Sequence, residues 1–156
     1  MLMPKVLTLA LWIKDGQMLL GMKKRGFGQG NWNGFGGKVE EGETIEDAAK
    51  REMQEECGVT VQEMEKVAIN TFRFAHDERV LEVHMYLVTA ATGEPVETEE
   101  MAPRWFPVDQ IPLDAMWDDD KYWIDHFFSG QKFIGEFHFD ANSKVDEYSM
   151  KFVQAL

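Results

Sequence analysis

Residues 37–59 read GKVEEGETIEDAAKREMQEECGV, and the placement of capping, apolar and acidic residues in this stretch decides how the chain folds. Thr44, followed three residues later by Asp47, resembles a capping box with Asp in place of the usual Glu, and Gly58 suits a left-handed stop. The stretch therefore predicts a helix over residues 45–57. Ile45, Ala49 and Met53 fall at i, i+4 and i+8 as its buried stripe, with Ala48 letting the helix approach a sheet closely. Glu52, Glu55 and Glu56 fall at i, i+3 and i+4 and project as one cluster beside that stripe. Neighbouring carboxylates repel, and the partial negative charge of the helix C-terminus adds to the repulsion, so the cluster favours a bound cation. Hard oxygen donors suit Mg²⁺, with Mn²⁺ as a substitute, and leave positions for waters and phosphates. For three glutamates taken alone, an acidic face neutralised by Lys50 and Arg51 is the ordinary alternative.

Upstream, residues 6–13 and 17–23 are strand-like runs joined by Asp15-Gly16, a two-residue hairpin signal because both positions tolerate positive φ. Residues 24–37 read as a loop in which six glycines alternate with Phe27, Trp32 and Phe35, a pattern that lets backbone approach a ligand. Downstream, residues 67–74 and 80–89 are β-rich. Pro103, Pro107 and Pro112 punctuate a connection to a predicted helix over 116–129. A final hairpin, residues 133–139 and 145–153, turns around Asp140 to Ser143. Strands and two helices in this order predict one mixed-sheet α/β domain spanning residues 1–156.

The composition narrows the function. A chain of 156 residues with 44% hydrophobic content is long enough to bury a core and fits one domain. A formal net charge of −12 disfavours a groove for polymeric nucleic acid, so an anionic substrate must be small and held with the help of a cation. The single cysteine, Cys57, cannot form an internal disulfide and is expected to be a small buried helix residue in a reducing compartment. Lys5 with the apolar run 6–13 loosely mimics a secretory signal, but Lys14 and Asp15 end the run abruptly. No stretch is long enough to span a membrane. A soluble, intracellular protein without membrane or nucleic-acid partners is expected.

The longer pattern outweighs the ordinary reading of the glutamates. Gly37, five residues, Glu43, seven residues, Arg51-Glu52-Met53, one residue, Glu55-Glu56, one residue and Gly58-Val59 reproduce the full box of the Nudix hydrolases, which the chain resembles. The resemblance implies an α/β/α sandwich with a mixed β-sheet and two helices, and cleavage of a nucleoside diphosphate linked to another moiety. It implies that Glu52, Glu55 and Glu56 hold divalent metal with the Gly36 carbonyl and Glu100. It also implies that Arg51 orients a glutamate, that Glu56 or Glu52 takes part in activating water, and that Lys23 helps neutralise phosphates.

The box fixes a reaction class more than a ligand. The proline that ADP-ribose hydrolases of the family carry past the box is missing between Val59 and Pro95. Residues 21–28 (GMKKRGFG), 31–38 (NWNGFGGK) and 116–123 instead resemble the animal branch that hydrolyses oxidised purine nucleoside triphosphates. For that branch the resemblance places Thr8, Phe27, Asn33, Phe72, Phe74, Met101, Trp117, Asp119, Asp120 and Trp123 around the base. Phe35, Gly36, Gly37, Lys38 and Asp118 join them as substrate-binding candidates. A purine needs a flat apolar slot plus a few polar groups to read its edge, and this set supplies both. Asp119 and Asp120, directed into such a slot, are expected to share one proton. Two positions depart from the branch: Asp118 stands where proline is usual, and Leu81 replaces a methionine. Substrates of the class of 8-oxo-dGTP, 2-hydroxy-dATP and O6- or N6-methylated purine triphosphates are implied, as is a cytoplasmic monomer, with a mitochondrial or nuclear fraction left open. The alternatives are a general nucleoside or dinucleotide polyphosphate hydrolase and, further behind, a Nudix fold that binds nucleotide without catalysis. Such non-catalytic members typically lose box glutamates, and this chain keeps them all.

Overall fold

The computed structural model describes residues 3–156. Its first two strands, β1 (Lys5–Lys14) and β2 (Gln17–Lys23), form the expected hairpin, and Asp15 and Gly16 take φ of 52° and 74° at the turn. The remaining elements are β3 (Trp32–Asn33), α1 (Ile45–Cys57), β4 (Thr60–Phe74), β5 (Asp77–Thr92), β6 (Met101–Pro107), α2 (Asp120–Ser129), β7 (Phe133–Phe139) and β8 (Val145–Phe152). The strands form one mixed sheet in the order β3-β2-β1-β5-β4-β7-β8, with β6 on the other side of β2. β1 runs parallel to β5 and β4 parallel to β7, while the other pairings are antiparallel.

Alternation along β1 sends its side chains to two separate cores. Ala10 and Trp12 pack with Met53 and Cys57 of α1, whereas Leu11, flanked by Leu9 and Ile13, packs with Trp123, Ile124 and Phe127 of α2. The sheet is thus covered by one helix on each face, the layering expected for the family. Trp123 and Phe127 are almost fully buried, and truncating either to alanine costs about 3–5 kcal/mol on general grounds.

The helix α1 has the expected limits: Thr44 Oγ1 accepts a 3.1 Å bond from the Asp47 N–H, and Gly58 closes the helix at φ 77°. Its buried residues are Ala48, Ala49, Met53, Glu56 and Cys57, whereas Ile45 is only half-buried because the first turn lies at the rim of the sheet. Burial pushes the Cys57 thiol up to about 11, so it is inert as a nucleophile.

Four expectations are corrected. Strands β4 and β5 both start earlier than residues 67–74 and 80–89, and β5 also ends later. Register shifts at Val61/Glu63, Glu63/Met64 and Lys66/Ala68 break the alternation that would have revealed the first half of β4. Residues 101–107 form a strand despite Pro103 and Pro107, because β6 pairs only with β2 and a missing N–H on its open side interrupts no ladder. The second helix starts at Asp120, since Met116 to Asp119 descend from a 3₁₀ turn at Leu113–Ala115 in an irregular path. The segment 24–37 is not purely a loop, because Trp32 and Asn33 pair with β2, and Phe35 and Lys38 bridge to β1.

Candidate active site

The first half of β1 and the glycine-rich segment after β2 line a cleft of ≈ 200 Å³, the volume of roughly seven waters. One end holds the buried acids Asp119 and Asp120 and the other holds Glu56 and Lys23. Trp117, Phe27, Phe74, Phe72 and Met101 supply apolar wall between them, with Thr8 and Asn33 as polar interruptions.

At the glutamate end, geometry follows from glycines. Gly36 donates its N–H to Glu56 Oε1 at 2.8 Å, and a Cβ at Gly36 would fall 1.8 Å from the Thr8 carbonyl oxygen. A Cβ at Gly37 would fall 2.8 Å from the Glu52 carboxylate. Only glycine lets the loop lie between β1 and α1 at this closeness. Glu56 is buried, and desolvation pushes its carboxyl up to about 8. The Gly36 N–H opposes that rise, as does Lys23, while Glu52 and Glu100 add to it. Desolvation also raises Glu52, partly offset by Arg51, whereas Glu55 is exposed.

Arg51 stays out of the cleft. It forms a bidentate pair with Glu43 at 2.7 and 3.0 Å, donates from Nη1 to Glu52 at 2.9 Å and to Glu55 at 3.2 Å, and reaches the Lys38 carbonyl at 3.1 Å. It is therefore placed to orient glutamates. Because Arg51 draws Glu52 and Glu55 towards itself, no three acidic, histidine or cysteine side chains among the described residues converge as a ready metal cage. The donor set nevertheless fits a hard divalent cation. Glu52 feels the negative charge of Glu55 and Glu100, Glu56 feels that of Glu52 and Glu100, and the missing Cβ of Gly37 leaves the Glu52 carboxylate free space.

At the other end, Asp119 Oδ2 accepts a 2.8 Å bond from the indole Nε1 of Trp123. Desolvation raises both carboxyls of the pair, and mutual repulsion drives Asp120 further up. The bonds from Trp123 and Asp120 hold Asp119 lower. The pair thus sets Asp119, which has a fixed donor in Trp123, beside Asp120, which has no such donor. Asp119 is the residue before α2 but does not cap it, because its carboxylate turns to Trp123.

Four substrate-binding candidates lie elsewhere. Asp118 points away from the cleft, accepting the Val145 N–H at 2.8 Å and pairing with Lys121 at 3.0 Å, so it ties the start of α2 to β8. Phe35 is buried in the core beneath α1, because bridging to Ala10 turns its ring to that face. Lys38 is exposed beyond the glycines, and Trp123 lies in the α2 core and acts on the cleft through its bond to Asp119. Conversely, the wall includes Leu7, Leu9, Gly34, Val83 and Phe139 alongside Leu81. Period-two spacing from Leu81 signals Val83, whereas Leu7 and Leu9 are the immediate neighbours of Thr8 in β1. Phe139 has no local signal, since only the parallel register of β7 on β4 sets it beside Phe74.

Residues 1–127 match the NUDIX domain family. The oxidized purine nucleoside triphosphate hydrolase of Mus musculus is 46% identical over 151 residues, covering 97% of each chain. The protein of the same name from Danio rerio is 45% identical over 152 residues, again with 97% coverage of both. Among solved structures, a MutT protein from Bacillus halodurans superposes with a TM-score of 0.84 at 27% identity, covering 94% of this chain and 97% of its own. With an unbroken glutamate box on a helix beneath a mixed sheet and these relatives spanning nearly its whole length, the chain belongs to the Nudix hydrolase family.

Proposed function

We propose that the protein hydrolyses oxidised or otherwise modified purine nucleoside triphosphates to the nucleoside monophosphate and pyrophosphate, with Mg²⁺ as its cation and Mn²⁺ as a substitute. The observation that carries this reading is the joining, in one cleft, of a pair of buried adjacent acids to the glutamate helix. The purine inserts between Trp117 and the Phe72 and Phe74 side of the cleft, and its edge meets Asp119 and Asp120. With the proton on Asp120, the pair offers a donor and an acceptor to an oxopurine. With the proton moved, it suits a purine carrying an exocyclic amine, so several modified purines fit one pocket.

Glu52, Glu55 and Glu56, with Glu100 and the Gly36 carbonyl, hold the cation. When bound, it supplies neutralisation of the phosphates and acidifies a water for attack on phosphorus. Glu56 has Oε1 engaged by Gly36, leaving Oε2 to accept a proton, and Glu52 is the other base within reach. Arg51 keeps Glu52 oriented through the Glu43 pair, and Lys23 offsets negative charge beside Glu56. Water adds to phosphorus, the bridge to the departing pyrophosphate breaks, and the monophosphate remains. The 46% identity to a curated hydrolase of oxidised purine nucleotides supports the same reading. We further infer that the protein acts as a monomer in the cytoplasm, where nucleotide pools are met before incorporation.

Steady-state hydrolysis with 8-oxo-dGTP, 2-hydroxy-dATP, N6- and O6-methylated purine triphosphates, dGTP and ADP-ribose tests this. Pyrophosphate and monophosphate should be the products, and modified purines should exceed dGTP in kcat/KM. Orthophosphate and diphosphate as main products, or equal rates on dGTP, would contradict it.

A further inference from the structure

The cleft mouth is ringed by stacked side chains, and one member of the ring is not aromatic. Phe27 stacks on Trp117 at 4.9 Å between centroids, Trp117 meets Phe139 edge-on at 5.9 Å, and Phe139 stacks on Phe74 at 5.6 Å. The gap between Phe74 and Phe27 is filled by Arg79, whose guanidinium carbon lies 5.3 Å from the Phe74 ring and 5.1 Å from the Phe27 ring. All four aromatics line the cleft. Phe27 itself is 57% exposed, on a loop where Gly26 and Gly28 take φ of 78° and 86°. Left to itself, such a ring would gain little by lying over the cleft.

Arg79 is held for this task by Asp77. Asp77 Oδ2 accepts from Arg79 Nε at 2.7 Å and Oδ1 accepts from the Arg79 backbone N–H at 2.8 Å, which fixes both ends of the side chain. A planar, weakly hydrated guanidinium can lie against two rings at once, whereas an ammonium is a point charge. We propose that Arg79 is a positioning residue for the base: it closes the ring between the β4–β5 hairpin and the 24–31 loop, and so holds Phe27 over a bound purine. This rests on the base-binding reading of the cleft given above.

The test uses the full chain with Arg79→Met, which keeps an apolar stem without the cation, and Arg79→Lys, which restores charge without the plane. Two readouts are independent of turnover: trypsin cleavage after Lys24 and Arg25, followed by mass, and the Kd of 8-oxo-dGMP from tryptophan fluorescence. Two ring contacts of ordinary strength predict that Arg79→Met raises Kd and KM roughly fivefold to tenfold with kcat little changed. Loop cleavage should accelerate by a similar factor, and Arg79→Lys should fall between. Unchanged loop cleavage overturns the proposal, as does a fall in kcat at constant KM. Faster cleavage with unaltered Kd overturns the role in base positioning. Failure of the wild-type protein to bind any modified purine monophosphate overturns the function proposed above, and the cleavage readout distinguishes that outcome from failure of the ring.

Discussion

Asp119 and Trp123 lie one helical turn apart and are joined by a 2.8 Å bond from the indole N–H to the carboxylate. The bond breaks the symmetry of two adjacent acids. Asp119 gains a fixed donor that favours its charged form, while burial and the neighbouring Asp119 both raise the Asp120 carboxyl.

The first expected outcome concerns specificity. Asp119→Asn and Asp120→Asn each replace a movable proton with a fixed amide, so each should reorder kcat/KM between 8-oxo-dGTP and 2-hydroxy-dATP. A wrongly paired polar edge costs on the order of 1–3 kcal/mol, or roughly tenfold or more in the ratio. Steady-state kinetics on both substrates measures this, and an identical ratio in both variants would sink the proton-sharing reading.

Stability should carry the same asymmetry. Both carboxyls have folded values raised above the unfolded value of about 4, so the stability they contribute is fully present below that pH and is lost as pH rises through their folded range. Asp120→Asn removes the charge that would have to be buried. The wild-type Tm should therefore fall relative to that of Asp120→Asn as pH rises above about 4, measured in chelator-containing buffer. Parallel Tm profiles would refute the linkage.

Glu56→Gln keeps the shape of a buried side chain and an acceptor for the Gly36 N–H, but removes a charge whose burial is unfavourable. Turnover should drop by on the order of 10² or more if Glu56 holds the cation or moves the proton. The metal-free Tm should stay level or rise. Near-normal turnover at saturating Mg²⁺ would remove Glu56 from the mechanism.

The two box glycines should fail differently. Gly37→Ala places a methyl 2.8 Å from the Glu52 carboxylate, the end of a side chain that can shift, so the protein should fold and lose activity through a displaced ligand. Gly36→Ala places it 1.8 Å from the Thr8 carbonyl, which is backbone of a central strand, so soluble yield or Tm should collapse. Expression yield, Tm and kcat/KM for the two variants separate these outcomes. Equal behaviour would mean that the loop yields at both positions.

The sequence alone determined the helix, its glutamates and the hairpin that opens the chain, because each rests on interactions within a few residues: a cap at Thr44, a stop at Gly58 and a positive-φ turn at Asp15-Gly16. It also named most of the cleft wall, though for the base side only through resemblance to a family. Tertiary structure decided what lies between distant segments. The bulges of β4, the strand at Pro103, the outward turn of Asp118 and the arrival of Phe139 beside Phe74 all depend on which strand pairs with which and in what register. Arg79 is the clearest case. Nothing around residue 79 marks it, and it reaches the cleft mouth because the β4–β5 hairpin brings it over a loop some fifty positions earlier. Local patterns record a residue's own backbone and face, whereas contacts across a sheet are set by packing of the whole, which no short window of sequence contains.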